Sequence, residues 1–135
     1  MNSYPSADSL DDTARLILRL TLGILILLHG IAKITNGIDP IQGMVAGMGL
    51  PAFFAYGVYA GEVLGPVLLI IGFYARVGAA LIAINMIFAI LLAHTGELAS
   101  LAPSGGWALE LQGVFLFTAV SLMFMGPGRI SVNQR

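Results

Sequence analysis

The sequence predicts an all-α integral membrane protein, built as a bundle of four transmembrane helices with both termini in the cytoplasm. Composition predicts the class, because 58% of the 135 residues are hydrophobic and only 10% are charged, whereas soluble domains carry roughly 25% charged residues. Four apolar segments predict the helices, since a helix needs about 20 apolar residues to cross the hydrocarbon core of a bilayer. The length of the chain allows one domain.

Capping and helix-breaking residues mark the ends of the four segments. Residues 11–13 are expected to cap the first span, and Pro51 opens the second. Trp107 precedes the fourth span, which ends at the run Gly126-Pro127-Gly128. The spans are predicted at residues 14–34, 52–71, 77–94 and 108–125, inside one membrane domain at 14–128 with polar tails at 1–13 and 129–135.

The segments outside the spans differ in character. The N-terminal segment is polar and acidic and lacks the basic region of a cleavable signal, so the first span is expected to be retained. The loop at 36–50 is rich in glycine and is expected to hold a short interfacial or re-entrant helix. Residues 72–76 are expected to form a tight turn, and residues 95–106 a flexible polar loop.

The positive charges predict the orientation, because Lys and Arg concentrate in cytoplasmic loops. Arginines occupy the N-terminal segment, the middle loop and the C-terminus, whereas the other two loops carry Asp39 and Glu97 with only Lys33 at their edge. Both termini are therefore expected to be cytoplasmic. The arginines in question are Arg15, Arg19, Arg76, Arg129 and Arg135.

The charge balance and the missing cysteines exclude several kinds of function. The net charge of −1 argues against nucleic acid as a partner, since phosphate binding needs a basic face. With no cysteine, the chain cannot carry a disulfide, a thiolate-bound metal or a dithiol relay. No Glu-x-x-His pair of the kind found in carboxylate-bridged bundle sites occurs, so no metal site is predicted.

Glu62 is the most informative residue, because it is the one charge in the span at 52–71. A carboxylate at the centre of a bilayer is costly unless it is paired or protonated, so it is treated as a functional residue by default. The basic residues of the first span fall on one helical face, which is expected to point into the bundle with Glu62 and Glu110 as counter-charges. That face carries Arg15, Arg19, Leu22, Ile26, His29 and Lys33.

Depth along the helices groups the polar residues. At a rise of 1.5 Å per residue, Glu62 and Asn85 fall near the midplane, and Arg19 lies about two turns in from the cytoplasmic side. The residues that fall in the outer half are His29, Lys33, His94, Glu110 and Gln112. Each has a structural alternative, such as a salt bridge between Glu62 and Arg19 or snorkelling of Lys33 to the interface. The candidates for handling a ligand or a proton are Glu62, Glu110, His29, Lys33, Arg19, Asn85 and His94; their catalytic roles stay unassigned.

Glycines in the second span predict where helices pack closely. Gly57, Gly61 and Gly65 follow i, i+4, i+8 spacing, a repeated G-x-x-x-G. Such a ladder lets helix backbones approach each other in lipid. Because Glu62 is adjacent to Gly61, its side chain is expected to lie near a packed interface.

Three blocks of the sequence resemble the DoxX family. The first is His29-Gly30-Ile31-Ala32-Lys33 at the end of the first span. The second comprises Gly49-Leu50-Pro51, Glu62 and Gly72-Phe73-Tyr74-Ala75-Arg76. The third runs from Gly105-Gly106-Trp107-Ala108-Leu109-Glu110 to Gly126-Pro127-Gly128-Arg129. The resemblance covers residues 14 to 132.

The chain departs from the family pattern at two places. Gly65-Pro66 stands where the family often has Gly-Gly, and Asn133 stands where the tail commonly ends in an acidic residue. Proline kinks helices, so Pro66 is expected to bend the second span just inside Glu62. Neither departure removes a candidate polar residue.

The resemblance implies a multi-pass protein of the bacterial cytoplasmic (inner) membrane. The family takes its name from a small subunit associated with a thiosulfate:quinone oxidoreductase, and other members are linked to redox-stress complexes or to quinone-handling enzymes. Besides the lipid bilayer, an oxidoreductase partner or a homo-oligomer is therefore expected. The chain carries no redox centre of its own, so the electrons would have to come from a quinone-like ligand or from a partner.

Three hypotheses of function remain open. The first is a membrane subunit that binds a quinone-like or other small redox molecule and supports electron or proton transfer by a partner. The sequence leaves open whether the chain is itself an enzyme. The second is a small-molecule or proton transporter, which the lack of an internal repeat disfavours. The third is an assembly or scaffold subunit whose ionic cluster only fixes helix register.

Overall fold

The computed structural model describes residues 7–135, and the first six residues of the predicted N-terminal tail lie outside this range. The described residues form five helices and no β-strand, which confirms the all-helical prediction. The helices are α1 (Ala7–Asn36), α2 (Asp39–Gly47), α3 (Ala52–Ile71), α4 (Ala75–Ala93) and α5 (Glu110–Met125).

Three of the helices, α1, α3 and α4, are long and apolar enough to cross a membrane by length and composition. The fourth apolar helix, α5, has 16 residues and so rises about 24 Å, compared with a hydrocarbon core of about 30 Å. Helix α2 lies in the loop where a short helix was expected. Helix α3 begins and ends at the predicted residues.

The first helix begins earlier than predicted, at Ala7. The expectation that residues 11–13 cap it was wrong, because these residues lie within the helix. Asp12 is instead held by Arg129, whose backbone N–H donates to Oδ1 at 3.0 Å and whose Nε donates to Oδ2 at 2.5 Å. Acidic residues near a helix N-terminus also match the helix dipole, so aspartates that resemble caps can equally extend the helix.

The fourth predicted span also begins later, at Glu110 instead of residue 108. Trp107 is part of the preceding loop, where it forms a bridge with Leu101 and donates from Nε1 to the Leu98 carbonyl at 2.9 Å. These bonds fold the loop at 95–106 back on itself. The polar loop that we expected to be flexible is therefore held by hydrogen bonds just before α5 begins.

An apolar core joins α1, α3, α4 and α5. Helix α4 lies between α3 and α5 and contributes small residues that let its neighbours approach. The buried core consists of Leu22, Ile26, Leu69, Ala75, Ala79, Ile82, Ala83, Met86, Phe115, Ala119 and Leu122.

Glycines mark the closest approaches between the helices. A Cβ atom on Gly61 would overlap Asn85 of α4, and one on Gly65 would lie 2.9 Å from the Gly78 carbonyl oxygen. A Cβ atom on Gly30 of α1 would overlap the carbonyl group of Glu62. Gly57 has open space around it, so the predicted ladder packs over its last two members and not its first.

Arginines hold the end of the bundle where α3 and α5 terminate, which we call the arginine end. Arg15 donates to the Met125 carbonyl, and Arg76 Nη1 donates to the carbonyls of Met123 and Phe124 at 3.0 and 3.1 Å. The last carbonyls of a helix lack intrahelical donors and carry the negative end of the helix dipole. The positive charges that predicted topology therefore also cap helices.

The segment predicted as a C-terminal tail packs against the turn between α3 and α4. The Asn133 backbone N–H donates to the Gly72 carbonyl at 3.1 Å, and its Oδ1 accepts from the Tyr74 N–H at 3.0 Å. Tyr74 has a positive φ of 47°, which the bond from this segment supports. Nearby, the hydrogen bond to Asp12 raises the pKa of the Arg129 guanidinium.

Candidate functional site

Glu62 lies on an irregular stretch of α3. Residues Ala60–Leu64 form a π-helical turn in which the Gly65 N–H donates to the Ala60 carbonyl. Pro66 follows Glu62 by four residues and has no N–H to offer the Glu62 carbonyl, so the regular hydrogen-bond ladder cannot continue there. The helix has a π-turn here, a feature that often accompanies functional sites, and the bend expected at Pro66 stays a prediction.

The Glu62 carboxylate is buried and held by two side chains from neighbouring helices. Lys33 Nζ of α1 donates to Oε1 at 2.6 Å, and Asn85 Nδ2 of α4 donates to Oε2 at 2.9 Å. The Glu62 side chain is 7% exposed and that of Lys33 is 27% exposed. Both oxygens are therefore satisfied, as a buried charge requires, and the lysine reaches toward the surface.

A cavity of about 190 Å³ adjoins this ion pair in the half of the bundle away from the arginine end. We call that half the loop end, because α2 and the loop between α4 and α5 lie there. Apolar side chains from α1, α4 and α5 complete the walls. The lining residues are Ile26, His29, Lys33, Glu62, Met86, Ala89, His94, Leu111, Gln112 and Phe115.

The polar side chains of the cavity differ in what they already bind. His94 Nδ1 lies 3.2 Å from Glu97 Oε1 at the rim. His29 stands edge-on to Phe115, with ring centroids 6.1 Å apart. Within residues 7–135, neither the His29 side chain nor the Gln112 side chain has a hydrogen-bond partner. Two side chains that can both donate and accept hydrogen bonds are therefore available to a ligand.

The structure does not bring all the predicted candidates together. Arg19 is 1% exposed and belongs to the arginine end, where it donates to the carbonyls of Leu69, Ile70, Pro127 and Ile130 at 2.7–3.3 Å. The salt bridge between Arg19 and Glu62 that we considered is therefore wrong. All four of these hydrogen bonds go to backbone carbonyls at the arginine end, whereas Glu62 lies in the other half of α3.

Glu110 also differs from expectation. It was expected to face the basic stripe of the first span, but it is exposed at the first turn of α5. Within the described residues it makes no ion pair. The helix dipole stabilises an acidic residue at this position without a cationic partner.

Several residues of the site escaped the sequence reasoning. Phe115 and Met86 were not singled out from the sequence, yet they form cavity walls, and Tyr59 OH donates to the Lys33 carbonyl at 3.2 Å. Gly30 was noted only as part of a motif, although its missing side chain lets α1 contact the Glu62 backbone. Two features of the sequence could have indicated this contact, namely the position of Gly30 beside His29 and the proline four residues after Glu62.

The arrangement has the chemistry of a small binding site with a charged wall. An ion pair in a medium of low dielectric responds strongly to a nearby dipole or proton, and the free imidazole and amide can position a polar group. Within residues 7–135, no group of three or more His, Asp or Glu side chains is placed to hold a metal ion. The site therefore offers hydrogen bonds, charge and an apolar wall.

The fold and the site define a helical membrane protein with a polar cavity between its helices, and comparison with known proteins gives its family. The DoxX family model matches residues 14–95. A Bacillus subtilis (strain 168) protein named "Putative oxidoreductase CatD" is 34% identical over 87% of this chain and 83% of its own length. An uncharacterised Haemophilus influenzae protein is 27% identical over 87% of each chain. No solved structure matches.

The chain belongs to the DoxX family. The family match includes His29, Lys33, Glu62, Asn85 and His94, and therefore most of the polar cavity. It ends before α5, which contributes Gln112 and Phe115.

Proposed function

We propose that this DoxX-family protein is a subunit of the bacterial cytoplasmic membrane that binds a quinone-like redox molecule in the cavity beside Glu62 and supports the electron or proton transfer of a partner oxidoreductase. The observation that carries the proposal is the cavity, in which a buried ion pair adjoins two unpartnered polar side chains. The name of the Bacillus subtilis relative, "Putative oxidoreductase CatD", is consistent with this class.

The size of the cavity supports a ligand with one ring. An apolar cavity on the order of 150 Å³ accommodates benzene, and the cavity here measures about 190 Å³. Drug-sized ligands usually need about 300 Å³ or more. A benzoquinone ring with small substituents fits that range, whereas a nucleotide or a flavin does not.

The donor set also fits a quinone or quinol head group. His29 and Gln112 can each donate to a carbonyl oxygen or accept from a hydroxyl group, and Phe115 provides an aromatic wall. Glu62 and Lys33 can hold or pass a proton next to the ring. The electron chemistry belongs to the ligand and the partner, while this chain supplies position, charge and exclusion of water.

The proposed orientation places four spans in the membrane with both termini in the cytoplasm. The arginine end, with Arg15, Arg76 and Arg129, would then be cytoplasmic, in accordance with the bias of positive charge. The cavity would lie in the outer half. Helix α5 would span with help from the folded loop that precedes it and from thinning of the bilayer.

The single tryptophan provides the test. Trp107 packs on Gly113, next to Gln112 of the cavity, and quinones quench indole fluorescence at short range. Titration of the purified protein in lipid nanodiscs with a benzoquinone should give saturable quenching. His29→Ala and Glu62→Gln should each weaken binding about tenfold, which corresponds to the loss of one or two hydrogen bonds.

Glu110→Gln is the matched control, because it makes the same chemical change on an exposed residue outside the cavity. It should leave the quenching curve unchanged. Linear, unsaturable quenching of the wild type, or identical curves for wild type, His29→Ala and Glu62→Gln, would refute the proposal.

A scaffold role has one observation in its favour, since both oxygens of Glu62 are already satisfied by Lys33 and Asn85. It predicts that Glu62→Gln lowers stability without changing any ligand binding. Transport is disfavoured, because the apolar core and the buried Arg19 separate the cavity from the arginine end. A chain that transported its ligand alone would need a second conformation that opens this layer.

A further inference from the structure

The cavity has an opening on the side of the bundle that α1 and α5 form. Most of its lining is buried or half-buried, but His29 of α1 and Leu111 of α5 are exposed. Phe115, one turn after Leu111, is buried behind them and meets His29 edge-on. The opening therefore lies between α1 and α5.

The opening lies below the end of the bundle. From His29 to the end of α1 at Asn36 the helix rises about 10 Å, so the imidazole is well inside the predicted span. The residues around it are apolar and exposed, namely Leu25 and Leu28 on α1 and Leu111 and Val114 on α5. A rim of leucine and valine at this depth faces lipid, in contrast with the ionic rim formed by His94 and Glu97.

The two unpartnered polar side chains belong to the two helices that frame this opening. His29 is on α1 and Gln112 is on α5, and both line the cavity. An imidazole exposed to hydrocarbon without a partner is unfavourable, whereas one that binds the polar head of a ligand is satisfied. The pair is therefore placed to hold a head group at the mouth of the cavity.

The dimensions limit what can be inside. A cavity of about 190 Å³ holds one ring and leaves no room for a long chain, because each methylene of such a chain occupies further volume. Any tail of the ligand must leave through the opening. The apolar rim gives it a surface along which to lie.

We propose that the ligand is a lipid-dissolved molecule with one oxygen-bearing ring and an apolar tail, and that it enters sideways from the bilayer between α1 and α5. This inference rests on the proposed function, which concerns the site, and adds the class of ligand and its route. The ring lies against Phe115 between His29 and Gln112, and the tail passes over Leu28 and Leu111 into lipid.

Photolabelling tests the route. The protein in lipid nanodiscs is incubated with a benzoquinone whose alkyl tail ends in a diazirine, illuminated, digested and mapped by mass spectrometry. Labels should concentrate on the rim residues of α1 and α5. The same quinone without the diazirine, added at about ten times its Kd, should occupy about nine-tenths of a saturable site and remove about that share of the labels. A phospholipid with the same diazirine provides the background labelling of the whole apolar surface.

The outcomes separate the two proposals. Labels that compete but lie on the exposed faces of α3 and α4, such as Val67 and Ile84, or on the loop end would overturn the sideways route while leaving a quinone site. Labels that do not compete, together with no saturable quenching of Trp107, would overturn the proposed function itself. Gln112→Leu keeps a side chain of similar size but removes the hydrogen-bonding amide, so it should lose the competed labels on the rim. Thr118→Val, on the same helix but outside the cavity, should retain them.

Discussion

Lys33→Met should destabilise the protein more than Glu62→Gln, although both variants remove the same ion pair. The reason is the difference in burial of the two partners. Removing Lys33 leaves a carboxylate that is 7% exposed, whereas removing Glu62 leaves a lysine that is 27% exposed. The lysine lies in the last turn of α1 and can extend its ammonium group toward water, but the carboxylate cannot move.

The structure sets the size of both effects. Removing one partner of a buried pair costs about 3–5 kcal/mol, because the other charge is left buried and uncompensated. Asn85 still donates to Glu62, so we expect about 3 kcal/mol for Lys33→Met. In Glu62→Gln the amide still accepts the bond from Asn85, and we expect about 1 kcal/mol.

The assay is reversible unfolding in mixed detergent micelles, followed by the fluorescence of Trp107. The double variant Lys33→Met/Glu62→Gln should be more stable than Lys33→Met alone, because no charge is left unpaired. Glu97→Gln, which breaks the exposed pair with His94, should cost no more than about 1 kcal/mol.

A free energy of unfolding that falls equally in the two single variants, or falls further in Glu62→Gln, would refute this reasoning. It would mean that the carboxylate has water or another cation beside it in the membrane-embedded protein. A double variant no more stable than Lys33→Met would lead to the same conclusion.

Three further predictions follow from close contacts and burial. Gly30→Ala should destabilise the protein by about 1–3 kcal/mol through its clash with the Glu62 backbone, whereas Gly57→Ala in open space should be neutral or stabilising by about 0.5–1 kcal/mol; thermal unfolding of the pair decides this, and equal losses would contradict it. Arg19→Met should cost at least about 3 kcal/mol because several carbonyls lose their donor, measured by the same unfolding assay, and a neutral result would show that water replaces the guanidinium. Since the chain has no native cysteine, Ala89→Cys in oriented vesicles should react with a membrane-impermeant thiol reagent only from the loop end, and reaction from the arginine end would reveal a path through the apolar core.

The candidate site was partly predictable from the sequence. Glu62 and Lys33 were identified because charges in apolar segments are rare and costly, and helical periodicity put Lys33 and His29 on one face. Periodicity could not choose partners. Arg19 and Lys33 lie on the same face of α1, but about 21 Å apart along its axis, so each meets whatever the opposite helix presents at its own depth. At the arginine end that is a set of carbonyls, and at the loop end it is Glu62.

Glu110 shows that the rotation of a helix could not be predicted from the sequence either. Its depth in the sequence matched that of the cavity residues, yet the rotation of α5 points it outward while Gln112 lines the cavity. Two residues of separation on a helix change direction by about 200°. A span that is apolar on all sides gives no pattern from which to predict its rotation.

The sequence by itself determined the helical class, the place of α3 and the residues that carry charge into the apolar segments, because length and hydrophobicity act locally along the chain. It also indicated the break in α3, since Pro66 removes a backbone donor wherever the helix lies. Only the tertiary structure decided that Glu62 binds Lys33 and Asn85, that Arg19 caps two chain segments, and that a cavity remains between α1 and α5. These features depend on the rotation and register of whole helices. Close contacts at glycines determine both, but only once the helices have packed together.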